Sequence, residues 1–576
     1  MDRSSITKRA EGSMPNVRDV PWRRPGRAGY ARRRIRNAFR PPVSVVPAPP
    51  ELVQEHDVEV PMRDGVVLSV NVYRPAGDGP FPVLVSVHPY GKDVLPKRTR
   101  RGWKLNFQFR IMNQSEPLQI SELTGWEAPD PVWWVSRGYA VVNADERGAG
   151  HSDGTGSLLT DAEGRDSHDL IEWAGEQAWS NGSVGMLGVS YLALSQYKAA
   201  ASHPSHLKAI CPWEGFTDAY RDFMTPGGIA ETGFSRIWQA VTKRAARLSD
   251  DFKTERRRHP LRDEWWESLT PALEQITVPM LVCASFSDAN LHSVGSFRAL
   301  QHVASAERFG YLHRGPKWAT FYGEEAKGAQ LAFFERYLRG KDAPPPRVRL
   351  EVRESRDRIV EVRAENEWPL ARTAWTPLYL GADGRLTDAP GTVGATSFDL
   401  RRDAASFTFT FAHDTEITGP MNLVLWASAE GAAADAARDA NLFVGVEKLH
   451  NGAVVPFEGS YGYGRDRVAQ GRLRMSMRAT DAQASTPHQP VHTFASRRRP
   501  DPNEIVRLDI PLSPSATLFR AGDELRLLVA GRYLEPQNPL FGHFPARYAP
   551  SGRGRCTLHW GMDHPARLEV PVIPRG

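Results

Sequence analysis

The stretch Val184-Gly-Met-Leu-Gly-Val-Ser-Tyr-Leu-Ala193 constrains this chain more than any other. An apolar, strand-like run ends at Gly188, Ser190 follows, and helix-forming residues continue through Ala193, Leu194, Gln196 and Ala199. A serine on so tight a strand-to-helix turn projects its hydroxyl above the sheet, and the first N–H groups of the helix face whatever that hydroxyl attacks. The pattern is a nucleophile elbow and implies nucleophilic catalysis by Ser190. It departs from strict G-x-S-x-G spacing, which would put glycine at 192, where this chain has Leu192 followed by Ala193.

The surroundings suit such an elbow. Val83–Val87, Tyr139–Asn143, Val184–Leu187, Ala209–Pro212 and Met280–Ala284 are short apolar runs with helical patterns between them, which predicts a mainly parallel sheet in a doubly wound α/β domain. Asp-Gly at 64–65 between Val58–Met62 and Val66–Tyr73 predicts a leading hairpin. Two segments interrupt the alternation: Asp93–Pro131, and Gly215 to about Thr270, which is dense in aromatic and charged residues at helical spacing. Both are read as lid material, with the cap proper at about 215–270. Lys327–Gly340 predicts the last helix, and Lys341–Pro346 a stiff linker. From Arg347 the pattern changes to short alternating runs such as Val348–Val352, Ser406–Phe411 and Glu524–Ala530, which predicts an antiparallel sandwich. The expected units are a basic disordered tail over 1–50, an α/β domain over 51–346 and a β-sandwich over 347–576.

A chain of 576 residues is too long for one core, which agrees with that division. The net charge of +6 misleads, because residues 1–40 hold twelve Lys/Arg against Asp2, Glu11 and Asp19, which leaves the rest at −3. The basicity belongs to the tail, so no nucleic-acid partner is expected of the folded body. No apolar run is long enough to span a membrane, and Arg23-Arg24 is followed by Pro25-Gly26 with no apolar export segment. Cys211, Cys283 and Cys556 are far apart and fit a reducing compartment, so a cytoplasmic location is expected. No HExxH, paired CxxC or EF-hand pattern occurs, so neither a catalytic metal nor a cofactor is expected.

Leu170-Ile-Glu-Trp173 followed by Trp179 to Tyr191 resembles the cocaine-esterase/X-prolyl dipeptidyl-peptidase (CocE/NonD) family of α/β-hydrolases. That family's elbow is usually G-x-S-Y-x-G, so only Ala193 departs from it. Val87-His-Pro-Tyr-Gly-Lys92, Asp145-Glu-Arg-Gly-Ala-Gly-His-Ser-Asp-Gly154 and the β-rich C-terminal region match in order, so the resemblance spans roughly 51 to 576. It implies an α/β-hydrolase fold with a helical cap and a jelly-roll C-terminal domain.

A serine hydroxyl needs a base, a group that orients the base, and donors for the oxyanion. In α/β-hydrolases the acid and then the histidine follow the serine in the chain. Asp288 ends a loop that leaves the strand Val278–Ala284, and the family's aromatic-x-Asp turn matches Phe286-Ser287-Asp288. The competing structural role for Asp288 is a helix N-cap. Candidates for the base are His292, His302 and His313. His313 ends the strand-like run from Phe309 and is the favoured base, with His292, four residues beyond the acid, as the alternative. The family's G-P-W-x-H would put its histidine where Gly315-Pro-Lys-Trp-Ala319 has Ala319, so either the base has moved or the site is impaired. The backbone N–H of Tyr191 and, by the resemblance, the hydroxyl of Tyr90 are the expected oxyanion donors. Arg147 and Asp145 are expected to pair below the elbow.

The resulting expectation is a serine hydrolase acting on a small ester or amide. A dipeptidyl peptidase is the first alternative, in which Glu127, Glu214, Asp218 or Glu231 would hold a substrate ammonium. A binding protein on the hydrolase scaffold is the second. The sequence fixes no oligomeric state.

Overall fold

Val83, Val85 and Val87 face one side of their strand and Leu84 the other, and all four are buried, so both faces of this strand are covered. Such two-sided burial is what an apolar, β-branched run produces in the middle of a parallel sheet. The computed structural model describes residues 26–574 apart from 101, 113, 115, 343, 431–438, 463–465 and 536–543. Ten strands build its central sheet: β1 (Val53–Pro61), β2 (Val67–Arg74), β3 (Phe81–His88), β4 (Ala140–Asp145), β5 (Ser180–Val189), β6 (Leu207–Trp213), β7 (Met280–Ser285), β8 (Arg308–His313), β9 (Val348–Arg353) and β10 (Ile359–Glu365). Their order across the sheet is β1-β2-β4-β3-β5-β6-β7-β8-β9-β10. β3 through β9 run parallel, β1 runs in the same sense, and β2 of the hairpin and the edge strand β10 run against them.

Helices cover both faces. The main ones are α1 (Arg27–Phe39), α2 (Asp161–Glu176), α3 (Tyr191–Ala201), α4 (Phe234–Ala245), α5 (Ser293–His302), α6 (Lys317–Phe321) and α7 (Glu324–Arg339). Leu170, Tyr197 and Leu300 of α2, α3 and α5 share one apolar layer with Val85 and Val142, while Phe333 and Phe334 of α7 share the other with Leu84 and Leu187. Each such fully buried aliphatic or aromatic side chain favours the fold by about 1.5–3 kcal/mol. The carboxyl ends of β3, β5, β6, β7 and β8 open toward one edge, where sites of parallel α/β sheets form. The π-helical turn Ala219–Met224, α4 and the short helices Phe252–Arg258 and Glu264–Ser268 follow β6 and fill the expected cap region, and Trp238 of α4 stacks on Tyr191 at that edge. Trp238 of α4 packs on Phe223 and Phe252 with ring centroids 5.4 and 5.7 Å apart.

The C-terminal part is antiparallel, as its alternating pattern predicts. Thr415–Glu430 pairs with Val506–Phe519, Arg555–Trp560 and Arg567–Ile573. Asn441–His450 pairs with Ala469–Arg474 and Glu524–Ala530. Its apolar residues join those of the cap in one continuous layer that includes Tyr90, Tyr191 and Leu192 beside the elbow.

Two expectations about organisation change. Val348–Val352, expected to open the sandwich, extends the α/β sheet instead, because it lies parallel to β8 and carries β10 on its outer side. An alternating strand pattern reports half-burial and does not say which sheet supplies the neighbour. The described part of the basic segment is also structured. Residues 27–39 form α1 with Tyr30 buried, Arg33 donates to the Gly462 carbonyl at 2.7 Å, and Val43–Val46 pairs with Leu118–Ser121. The first 25 residues of the predicted tail lie outside the described residues.

Candidate active site

Ser190 sits between β5 and α3 with φ 59° and ψ −114°, a strained conformation for a residue with a Cβ. The turn closes so tightly that a Cβ on Gly188 would lie 2.4 Å from Cβ of Leu192. The Ala193 methyl, which departs from the family pattern, is accommodated by Gly215: a Cβ there would come within 2.7 Å of it. The hydroxyl of Tyr191 donates to Glu163 Oε2 at 2.8 Å and anchors the start of α3. Ala193 N and Leu194 N both donate to the Ser190 carbonyl, and as a first-turn group the Tyr191 N–H has no intrahelical acceptor.

Ser190 Oγ lies 3.2 Å from His292 Nε2, and His292 Nδ1 lies 2.5 Å from Asp288 Oδ2. Both partners come from one loop. The Asp288 carbonyl accepts from the N–H groups of Leu291, His292 and Ser293, which curls 288–292 into a single turn and leaves His292 capping α5. Asp288 does not use its carboxylate as an N-cap: Oδ2 accepts from His292 and, at 2.7 Å, from Lys317 Nζ. Phe216 stacks on the imidazole at 6.1 Å.

The structure does not bring His313, the favoured base, to Ser190. As the last residue of β8 it points beside the sheet, where its Nδ1 accepts from Gly315 N at 3.0 Å and its Nε2 donates to Glu214 Oε1 at 3.2 Å. Both ring nitrogens are thereby occupied in the interior. His302 is exposed at the end of α5. Ala319 does not leave the serine without an imidazole, because the alternative candidate His292 stands there. The signal for it was the four-residue spacing from Asp288, one helical turn.

Tyr90 follows β3, two residues beyond the strand's end, and its ring lies 6.2 Å from that of Tyr191. Its hydroxyl accepts from Trp238 Nε1 at 3.2 Å, and burial pushes its pKa far up, with Glu127 adding to the effect, so it stays a proton donor. Arg147 and Asp145 do not pair. Arg147 bonds Asp166 and Asp64, and the carboxylate of Asp145 accepts from the backbone of Lys92 and His151.

Of the four carboxylates proposed for an ammonium, two are committed elsewhere. Asp218 caps its turn and pairs with Arg221 and Arg262, and Glu231 accepts from the backbone of Gly233, Ser235 and Arg547. Glu127 and Glu214 remain near the site. Burial raises the Glu127 pKa to about 8 with help from Glu214 and Asp288, and Lys317 opposes the shift.

Lys317, which the sequence did not single out, is wholly buried at the start of α6. Its Nζ lies 2.8 Å from His292 Nδ1, 3.3 Å from the Tyr461 hydroxyl and 3.5 Å from Glu214 Oε2. Burial alone favours the neutral amine, but Asp288 and then Glu214 outweigh it and the net shift is upward. Asp288 stays ionised: burial works against its charge, and Lys317 and His292 more than offset that. His292 is shifted down, by burial first and by the Lys317 charge second, with Asp288 and Glu214 pulling the other way. The C-terminal part closes this side of the site. Ser460 accepts from Lys317 N at 2.8 Å and donates its N–H to Ser287 O at 3.1 Å, while Arg314 joins Ser287 Oγ to Asp466.

Among the described residues, two sets of side chains approach the spacing of metal ligands. Glu214, Cys283 and His313 bring ligand atoms within 4.8 Å of one another, but the Lys317 ammonium stands beside Glu214, and burial pushes the Cys283 thiol far up. Asp57, Asp93 and His151 form the other, where Lys92 Nζ already bonds both carboxylates at 2.6 Å. Neither set suits a cation.

Comparison with known proteins agrees with this architecture. The model of the X-Pro dipeptidyl-peptidase (S15) family matches residues 64–318, and that of the X-Pro dipeptidyl-peptidase C-terminal non-catalytic domain matches 340–568. Cocaine esterase from Rhodococcus is 33% identical over 404 residues, an alignment that covers 58% of this chain and 63% of that protein. The chain thus spans less than two thirds of this curated relative. An aminopeptidase from a Thaumarchaeota archaeon, 18% identical with a TM-score of 0.67 over 91% of this chain and 97% of that one, shares the fold. A CocE/NonD family hydrolase from Staphylococcus aureus is 34% identical, with a TM-score of 0.84 over 91% of this chain and 94% of that one. With its elbow, its cap and its C-terminal β domain in this order, the chain belongs to the CocE/NonD family.

Proposed function

We propose that the protein is a serine hydrolase that cleaves a small-molecule ester or amide through an acyl-enzyme. Ser190 attacks the carbonyl, His292 takes the serine proton and returns it to the leaving group, and Asp288 holds the imidazole with its Nδ1–H inward. The Tyr191 N–H and the Tyr90 hydroxyl stabilise the oxyanion. Water then attacks the acyl-enzyme with His292 again as base. The contact chain from Ser190 through His292 to Asp288 carries this reading.

Esters fit better than N-terminal dipeptides. Recognition of an ammonium favours a carboxylate that is readily ionised and uncommitted, and burial raises the Glu127 pKa to about 8 while Glu214 faces Lys317 and His313. Wild-type protein is expected to hydrolyse p-nitrophenyl esters and to take up one fluorophosphonate per chain on the Ser190 peptide. Ser190→Ala is expected to lose both with little change in its thermal transition. Equal turnover by the variant, or a label on another peptide, would exclude Ser190 as nucleophile.

A further inference from the structure

Lys317 stands in a place that the hydrolytic mechanism does not require. A serine, a histidine and an acid suffice for general-base catalysis, yet here a buried ammonium shares the acid's inner oxygen with the base. The three atoms form a closed triangle: Asp288 Oδ2 to His292 Nδ1 is 2.5 Å, Asp288 Oδ2 to Lys317 Nζ is 2.7 Å, and Lys317 Nζ to His292 Nδ1 is 2.8 Å. Asp288 Oδ2 accepts from both neighbours. With the Nδ1–H tautomer, in which His292 donates to Asp288, Nδ1 and Nζ both donate toward that oxygen and the 2.8 Å between them separates two donors.

We propose that Lys317 is a positioning residue that opposes protonation of His292 and so keeps the imidazole available as a base in acid solution. The proposal rests on the reading of Ser190 and His292 as nucleophile and base. When His292 gains its second proton, a unit positive charge appears on a ring already in contact with an ammonium, in an interior where charges are weakly screened. A group so placed acts on the equilibrium between imidazole and imidazolium, not on the position of the substrate.

The other charged and titratable groups around the pair define the sign. Asp288, on the base's own turn, favours the imidazolium, and Glu214 at the end of β6 does the same from farther off. Ser190 faces Nε2 from the elbow and carries no charge at rest. Lys317 faces Glu214 and Tyr461 directly and feels Glu127 as well, and with Asp288 these carboxylates keep its ammonium charged. A charged lysine has no lone pair, so Lys317 does not itself serve as the base. Its ring contact with Tyr461, 4.3 Å from Nζ to the centroid, and the bond from its backbone N–H to Ser460 fix the ammonium from the side of the β domain.

The sign of the effect on activity follows. The working form of His292 is the neutral one, so activity falls as pH drops through the base's pKa in the free enzyme. Lys317 depresses that value, and its charge therefore extends activity toward lower pH. Removal of the charge narrows the active range from the acid side.

The test is the pH profile of kcat/KM for a p-nitrophenyl ester from pH 5 to 9. In Lys317→Met the acid limb is expected to move to higher pH, so the ratio of activity at pH 5.5 to that at pH 8.5 falls below the wild-type ratio, by up to about tenfold for each pH unit the limb moves. Fluorophosphonate labelling of Ser190 at pH 8.5 is retained. Glu214→Gln removes a charge of opposite sign and is expected to move the limb the other way, so the ratio rises. If Lys317→Met does not fold, the Glu214→Gln profile and the wild-type limb, expected below the ordinary imidazole value of about 6.5, carry the test. An acid limb that stays in place or moves to lower pH in Lys317→Met, or a wild-type limb above pH 7, overturns the role of Lys317 even where Ser190 labels normally. Failure of wild type to label at Ser190 overturns the hydrolase reading and this proposal together.

Discussion

The loops that end β5 and β8 lie three strand positions apart on the same edge of the sheet, yet they present their chemistry differently. At the end of β5 the backbone decides: a positive φ at Ser190 and the near-contact of Gly188 with Leu192 leave the hydroxyl little choice of direction. At the end of β8 the backbone leaves the outcome open. His313 follows strand alternation into the interior and bonds Glu214, and the residue that this loop sends to the site is Lys317, four positions later. The imidazole in contact with Ser190 comes instead from the neighbouring loop after β7, which also carries Asp288. A nucleophile needs one strained turn. A base needs only to arrive at the right atom, and more than one loop can deliver it.

This contrast can be broken most readily at the histidines. His292→Ala is expected to lower kcat for ester hydrolysis by about 10⁶-fold, close to the effect of Ser190→Ala, because members of a triad act as a unit. His313→Gln, which can still donate to Glu214, is expected to stay within tenfold of wild type. A smaller loss, about 10⁴-fold by analogy with other triads, is expected for Asp288→Asn, with an unchanged fold. A loss below tenfold would make Asp288 a structural residue of its turn. A milder effect than that of the two triad variants sharpens the picture of the elbow's neighbour: Tyr90→Phe removes one oxyanion donor and is expected to cost about 10²-fold in kcat with little change in KM. A change confined to KM would make Tyr90 a substrate contact only.

What the sequence made legible follows the range of the forces involved. The buried parallel strands were readable because an apolar run such as Val83–Val87 reports its own two-sided burial. The elbow was readable because its constraint lies within ten residues. The sheet membership of Val348–Val352 was not, since alternation says that one face is buried but not against which sheet. The arrangement at the base was open for a similar reason. His292, His302 and His313 differ in where their carrier elements point, and that depends on how the 288–292 turn closes and how β8 ends. Lys317 gave no signal beyond its place in Gly315-Pro-Lys-Trp-Ala319, where attention falls on the missing histidine and not on the cation that neighbours the acid.

The central claim is that the base belongs to the acid's loop and not to the end of β8. The most direct measurement is the rate of fluorophosphonate labelling of Ser190 at pH 8 in His292→Ala and His313→Gln, with the label located by peptide mass and folding checked by the thermal transition. The account predicts near-wild-type labelling in His313→Gln and labelling slower by at least about a thousandfold in His292→Ala, since removal of a triad base leaves only the weak nucleophilicity of an unassisted hydroxyl. Rapid labelling of His292→Ala together with a silent His313→Gln would contradict it and return the base to β8.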